Sequence, residues 1–370
     1  MALIQYIARI QFDFGALATL PAELEMLGVQ RPLVVTDPGV KSSGILDRVL
    51  ATLGNRPRSV FAEAPRHPAL PAAERALAIY RADGCDGIIA LGGGVSIDLS
   101  KVIALLATHP APLSQYSTDN NGSGKITAKI APLVAIPTTA GTGSDIGRGA
   151  GVALEEHGIK PVFASVNLIP KVSICDPELT LSLPPAMTAG TGIDALSHAL
   201  EAYLSPSINP PVDAVALDAI RRISRHLERA VTHGSDRNAR WEVMMGALES
   251  GMCFWKGLGP AHALSIPLDT LDLHHGTLVG VILPHGVRFL APAVKEKLPA
   301  LADALGARDV ADGLEDLNRR IGLPTGLAAM GVTEAVLPQM GKDAAASFFN
   351  AALARKGTPE DYVEIMRAAM

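Results

Sequence analysis

The chain has 370 residues, 48 % hydrophobic and 19 % charged, with a net charge of −5. That length exceeds one typical core and calls for two domains. A mildly negative chain without a Lys/Arg run excludes a general nucleic-acid binder. The N-terminus lacks a basic start followed by an apolar core, and no apolar run approaches the ~20 residues of a membrane span. Three widely spaced cysteines, Cys85, Cys175 and Cys253, read as reduced, buried thiols. The expectation is a cytoplasmic protein with neither nucleic acid nor membrane as a partner.

Pro32–Asp37 is a short apolar run ending at Asp-Pro-Gly, a buried strand and a turn. Ile45–Leu53 has a helical pattern, Ser59–Phe61 reads as the next strand, and Ala69–Ala82 as a helix closed by Asp83-Gly84. Asp86–Leu91 is a second strong strand, followed by three glycines and a helix over Ser96–Ala107. Leu133–Ile136 is a third strand, followed by the loop Pro137–Ser144. Short continuous apolar strands separated by helices predict a parallel, Rossmann-like sheet covered on both faces. Beyond Asp176-Pro177 and Leu183-Pro184-Pro185, helical periodicity dominates: Met187–Leu204, Pro211–Val231, Arg237–Phe254, Val294–Leu305, Val310–Ile321, Thr333–Gln339 and Pro359–Met370. The predicted organisation is a dinucleotide-binding α/β domain over 1–180 and an all-α domain over 181–370.

Two loops of the first half carry chemistry. Gly92-Gly93-Gly94-Val95-Ser96-Ile97-Asp98 lies between a strand and a helix, where an α/β sheet places anionic ligands. Glycines let the backbone approach a pyrophosphate, and the N–H groups of the helix start point at it. Ser96 is the expected N-cap. Thr138, Thr139 and Thr142, in the second loop, offer hydroxyls for phosphate or ribose. Asp37, at the end of the first strand, suits the ribose diol and repels a 2′-phosphate, which favours NAD over NADP.

In the second half, Asp194 and His198 stand four residues apart in a helical segment, one turn apart on one face. The carboxylate is embedded among small and apolar residues, where an unpaired charge is costly and wants a cation. His262 and the pair His274-His275 follow. One Asp and three His make a four-ligand site for Fe²⁺ or Zn²⁺.

These motifs together resemble the iron-containing (group III) alcohol dehydrogenases. The resemblance rests on Gly92–Lys101, Pro137–Ser144, Thr191–Glu201, His275-Gly276 and Leu283-Pro284-His285, which span 92–285 in the family's order; Asp37 and Thr358–Asp361 also fit. It implies a dehydroquinate synthase-like architecture, with one divalent metal held by Asp194, His198, His262 and His275, and nucleotide contacts from Asp37, Gly93, Gly94, Val95, Asp98, Thr138, Thr139, Thr142 and Lys160. It implies a homodimer and reversible hydride transfer between a small alcohol and NAD(P)⁺. Alternatives are reduction of an acidic keto substrate in the manner of maleylacetate reductase, or nucleotide binding without catalysis. The chain departs from the family pattern in four places. Val95 replaces a serine, Asp145-Ile146-Gly147-Arg148 replaces Glu-Val-Thr and brings a cation suited to an acidic substrate, Ile266 replaces a second histidine, and the His262–His275 spacing is one residue short. His274 is the fallback ligand.

Overall fold

The computed structural model of the chain describes residues 8–155 and 161–370, with only the backbone of 351 and 352. They form two compact units: residues 8–139 with 143–182, and 183–370 with the stretch 140–142.

The first unit is built on β1 (Arg9–Phe12), β2 (Pro32–Val35), β3 (Ser59–Phe61), β4 (Gly87–Gly92), β5 (Leu133–Pro137) and β8 (Val172–Cys175), with β6 (Gly149–Gly151) and β7 (Val162–Ala164) as a separate antiparallel pair. The six-stranded sheet runs β1-β8-β5-β4-β2-β3, and every neighbouring pair is parallel. Successive side chains of a strand point to opposite faces, and here both faces are buried. Leu33, Val35, Ile88, Ala90, Leu133 and Ala135 share one core with α4 (Leu70–Ala82) and α5 (Gly94–Leu106). Val34, Ile89, Leu91, Val134 and Ile136 share the other with α1 (Leu20–Met26) and α3 (Ile45–Thr52). This two-sided burial is why the strands read as unbroken apolar runs. The short helix α2 (Pro38–Ser42) follows β2. From β2 the chain goes outward to β3 and returns to the other side of β2 as β4. The switch point therefore lies between β2 and β4, where open α/β sheets take their ligands.

The second unit is helical: α6 (Pro185–Leu204), α7 (Pro210–Thr232), α8 (Arg237–Met252), α9 (Pro260–Leu268), α10 (His275–Leu290), α11 (Leu298–Leu305), α12 (Val310–Arg320), α13 (Leu337–Ala346) and α14 (Pro359–Ala368). Helix α6 is its axis, buried from Thr188 through Ala202 and packed against α7, α8 and α10. A helix largely apolar on all sides must be enclosed, and its polar residues Thr188, Thr191, Asp194, Ser197, His198 and Glu201 are buried as well.

Helix α10 was not expected from its composition. Gly276, Gly280, Pro284 and Gly286 lie within it. The glycines serve contact: a Cβ at Gly276 would stand 2.1 Å from the Gly190 carbonyl oxygen of α6. Pro284 has no N–H for the Gly280 carbonyl, and the Asn318 side-chain amide donates to that oxygen instead, at 2.7 Å. The expectation that no apolar run nears a membrane span needs correction too. His275–Ala293 has the length and mean hydropathy, 1.2, of such a span, although 61 % of it is buried against the rest of the protein.

Candidate metal centre and nucleotide cradle

Asp194 and His198 project from the same face of α6, and His262 enters from the third position of α9. His275 is the first residue of α10. The Nε2 atoms of His198, His262 and His275 lie 3.6, 3.7 and 3.7 Å from one atom, Asp194 Oδ1. That oxygen and His262 Nε2 are buried without a hydrogen-bond partner among the described residues. Unsatisfied buried polar atoms are rare and costly. A carboxylate oxygen faced by three imidazole nitrogens is satisfied by a cation between them, and three nitrogens with one oxygen are the donor set of a borderline divalent ion. The four residues fit a metal. The spacing one residue short does not displace His275, because the turn Asp269–Leu271 leads into α10 with that imidazole in place. His274 is not the fallback ligand: it is the N-cap of α10, its Nδ1 accepting from Thr277 N at 3.3 Å and meeting Thr277 Oγ1 at 3.0 Å.

Two carboxylates behind the histidines carried no expected role. Glu201, buried, accepts from Gly259 N at 2.7 Å, Ala261 N at 2.8 Å and His262 Nδ1 at 2.6 Å. Asp269 lies 3.2 and 3.3 Å from His275 Nδ1. Glu201 was findable: it is seven residues after Asp194 and three after His198, the same stripe of one helix. The ring of His198 stacks on that of His262 at 4.7 Å and takes the edge of Phe254 at 4.7 Å.

Burial works against the Asp194 carboxylate, but the three imidazoles outweigh it and hold the group well below the usual carboxylate range. Burial pushes His198 down to about 3 against the pull of Asp194. Burial also lowers His262, yet Glu201 and Asp194 overcome it and bring it up to about 9. Its raised pKa makes protonated His262 a stabilising group in the metal-free protein. That contribution is complete below the ordinary histidine value of about 6.5 and disappears as pH rises through about 9. A metal needs the same nitrogen free of its proton. Metal affinity is therefore expected to climb between pH 6.5 and 9, with proton release on binding. Isothermal titration in buffers of different ionisation enthalpy measures both, and a flat affinity without released protons would contradict the assignment of His262.

In the sheet unit, Asp37, Gly93, Gly94, Val95, Thr138 and Thr139 meet at the carboxyl ends of the adjacent strands β2, β4 and β5. Gly92, at φ 144°, is in a backbone region that favours glycine. A Cβ there would lie 2.7 Å from Ser96 Oγ, and one on Gly93 would lie 3.5 Å from the Thr139 side chain. Gly93, not Ser96, is the N-cap of α5, which begins two residues earlier than expected. Ser96 instead donates to Asp37 Oδ2 at 3.2 Å, while Asp37 Oδ1 caps α2 through Val40 N at 3.0 Å. Asp98 accepts from Ser144 Oγ and, at 2.8 Å, from Gly151 N. Beside it the fully buried Lys101 donates to the carbonyls of Gly147 and Gly149 at 2.8 and 2.6 Å and to Ser144 Oγ at 3.2 Å. Desolvation lowers its pKa to about 8. Thr142 belongs with the helical unit. Lys160 lies outside the described residues.

Residues 8–177 match the family described as iron-containing alcohol dehydrogenase, and residues 188–370 match the C-terminal region of the Fe-containing alcohol dehydrogenase family. The chain is 43 % identical to the 4-hydroxybutyrate dehydrogenase of Cupriavidus necator over an alignment of 383 residues covering all of both proteins. It is 35 % identical to long-chain-alcohol dehydrogenase 1 of Geobacillus thermodenitrificans (strain NG80-2), over 91 % of this chain and 90 % of that one. A solved structure of 1,3-propanediol oxidoreductase superposes with a TM-score of 0.95 at 33 % identity, all of both chains being covered.

Proposed function

The chain belongs to the iron-containing alcohol dehydrogenase family, and on that premise we propose that it oxidises a short ω-hydroxy acid to the aldehyde acid, reversibly, with NAD⁺ and one Fe²⁺ or Zn²⁺. Metal-dependent oxidoreduction of alcohols is the activity its family and relatives share. The observation that carries the reading is the convergence of three Nε2 atoms on the unpartnered Asp194 Oδ1.

Asp194, His198, His262 and His275 are the proposed ligands, and the ion they hold supplies Lewis acidity toward the alcohol oxygen. Asp194 brings the negative charge that offsets a divalent ion. His262 keeps Nε2 open by donating Nδ1–H to Glu201. Gly93, Gly94 and Val95 are assigned to the pyrophosphate through the N–H groups of the first turn of α5, which have no partner within the helix. Thr138 and Thr139 are assigned to phosphate and ribose, and Thr142 is carried on sequence resemblance alone. Asp98 acts by holding Ser144 and Gly151, and Lys160 is carried on sequence resemblance alone. Asp37 supports NAD, since its carboxylate stands at the end of β2 beside the switch point.

The hydroxy-acid substrate is supported by the name of the 43 % identical relative. NADH formation with 4-hydroxybutyrate and with butanol, before and after metal is stripped and restored, tests the whole reading. Activity that vanishes with the chelator, returns with Fe²⁺ or Zn²⁺ and favours the acid is expected. A chain that forms no NADH from any alcohol would sink the proposal.

A further inference from the structure

We propose that Asp269 is a positioning residue of the metal centre, holding the His275 imidazole so that Nε2 faces Asp194. The proposal rests on the metal-binding reading above. His198 and His262 lie within helices with side chains 5 % and 3 % exposed, whereas His275 is the first residue of α10 and its side chain is 34 % exposed. Its ring is the one the core encloses least. What meets its Nδ1 is the Asp269 carboxylate, through both oxygens.

The local chain is shaped to bring that carboxylate back. Asp269 opens the single 3-10 turn Asp269–Leu271, two residues after Pro267. Asp272 then takes a left-handed backbone, φ 58°, a conformation that Asp tolerates better than most side chains. The chain thereby reverses, and six residues after Asp269 it presents His275. The neighbouring His274 is engaged as the helix cap. Ile266, in the same segment, has no polar side-chain atom to offer. A carboxylate accepting from Nδ1–H fixes the tautomer whose lone pair is on Nε2 and fixes the plane of the ring. Asp269 thus does for His275 what Glu201 does for His262, from a turn between two helices and with a side chain that is 12 % exposed.

The test compares Asp269→Ala and Asp269→Glu with the wild-type full chain. Zn²⁺ affinity is measured by competition with a chromophoric chelator, and the ligand field by the visible absorption of the Co²⁺-loaded protein. Asp269→Ala is expected to weaken Zn²⁺ binding about 10–100-fold and to alter the Co²⁺ spectrum, with Asp269→Glu recovering much of the affinity. The Asp269 side chain is 12 % exposed, so the metal-free Tm is expected to fall by about 2–4 °C at most, as for the loss of one partly buried hydrogen bond. Affinity within about twofold of wild type in Asp269→Ala overturns the proposal, as does a loss matched by a comparable fall in metal-free Tm. A wild-type chain that binds no Zn²⁺ or Co²⁺ overturns both this proposal and the functional reading. A metal-binding wild type with an unaffected variant overturns this one alone.

Discussion

Asp194→Ala is expected to lose bound metal and, with it, alcohol oxidation. Asp194 is the one carboxylate among the four proposed ligands, and its Oδ1 is the atom on which the three imidazoles converge. Removing the charged partner of a buried ionic assembly costs about 3–5 kcal/mol, which is roughly two to four orders of magnitude in affinity. The fold should survive, because α6 keeps the rest of its buried face, among it Ile193, Leu196 and Leu200. Circular dichroism separates the two effects: native ellipticity with no retained metal is the expected combination. Full activity in this variant would disprove the metal site.

Glu201→Ala is expected to damage stability and metal binding together. The carboxylate satisfies three buried donors, two of them backbone N–H groups at the start of α9. Each donor left unpaired costs about 1–3 kcal/mol, and α9 is the helix that brings His262 to the centre. A fall in Tm of roughly 10 °C follows, from a few kcal/mol at about 2–4 °C each for a domain of this size. Metal affinity should fall at least 10–100-fold through loss of the His262 orientation. Glu201→Gln keeps an acceptor for part of the set and should be intermediate. Thermal denaturation with and without Zn²⁺ checks both parts. A Glu201→Ala protein that melts like wild type would mean that the α9 amides find other partners.

Much of this site is visible in the sequence because it is built locally. Four residues on a helix are one turn, so Asp194 and His198 fall on one face whatever surrounds them. The glycines after β4 and the hydroxyls after β5 follow buried strands that announce themselves as apolar runs. What the sequence conceals depends on distant neighbours. Helix α10 looks like loop because Gly276, Gly280 and Pro284 are poor helix formers, and distant neighbours explain them: Gly190 against Gly276, Ile193 and Leu323 against Gly280, and the Asn318 amide on the carbonyl that Pro284 leaves free. Strands β1 (Arg9-Ile10-Gln11-Phe12) and β8 (Val172-Ser173-Ile174-Cys175) carry polar residues and so lack the unbroken apolar run that marks β2, β4 and β5. Ser96 resembles a cap in sequence, but the sharp turn at Gly92 moves the cap to Gly93 and turns Ser96 toward Asp37. Asp269 carries no sequence signal, because its partner is reached through a left-handed residue at Asp272.

X-ray absorption spectroscopy of the Zn²⁺-loaded protein tests the central claim most directly. A first shell of three imidazole nitrogens at about 2.0–2.1 Å and a carboxylate oxygen at about 2.0–2.2 Å, one ion per chain, is the expected result. A sulfur scatterer at about 2.3 Å, or fewer than three imidazoles, would contradict it.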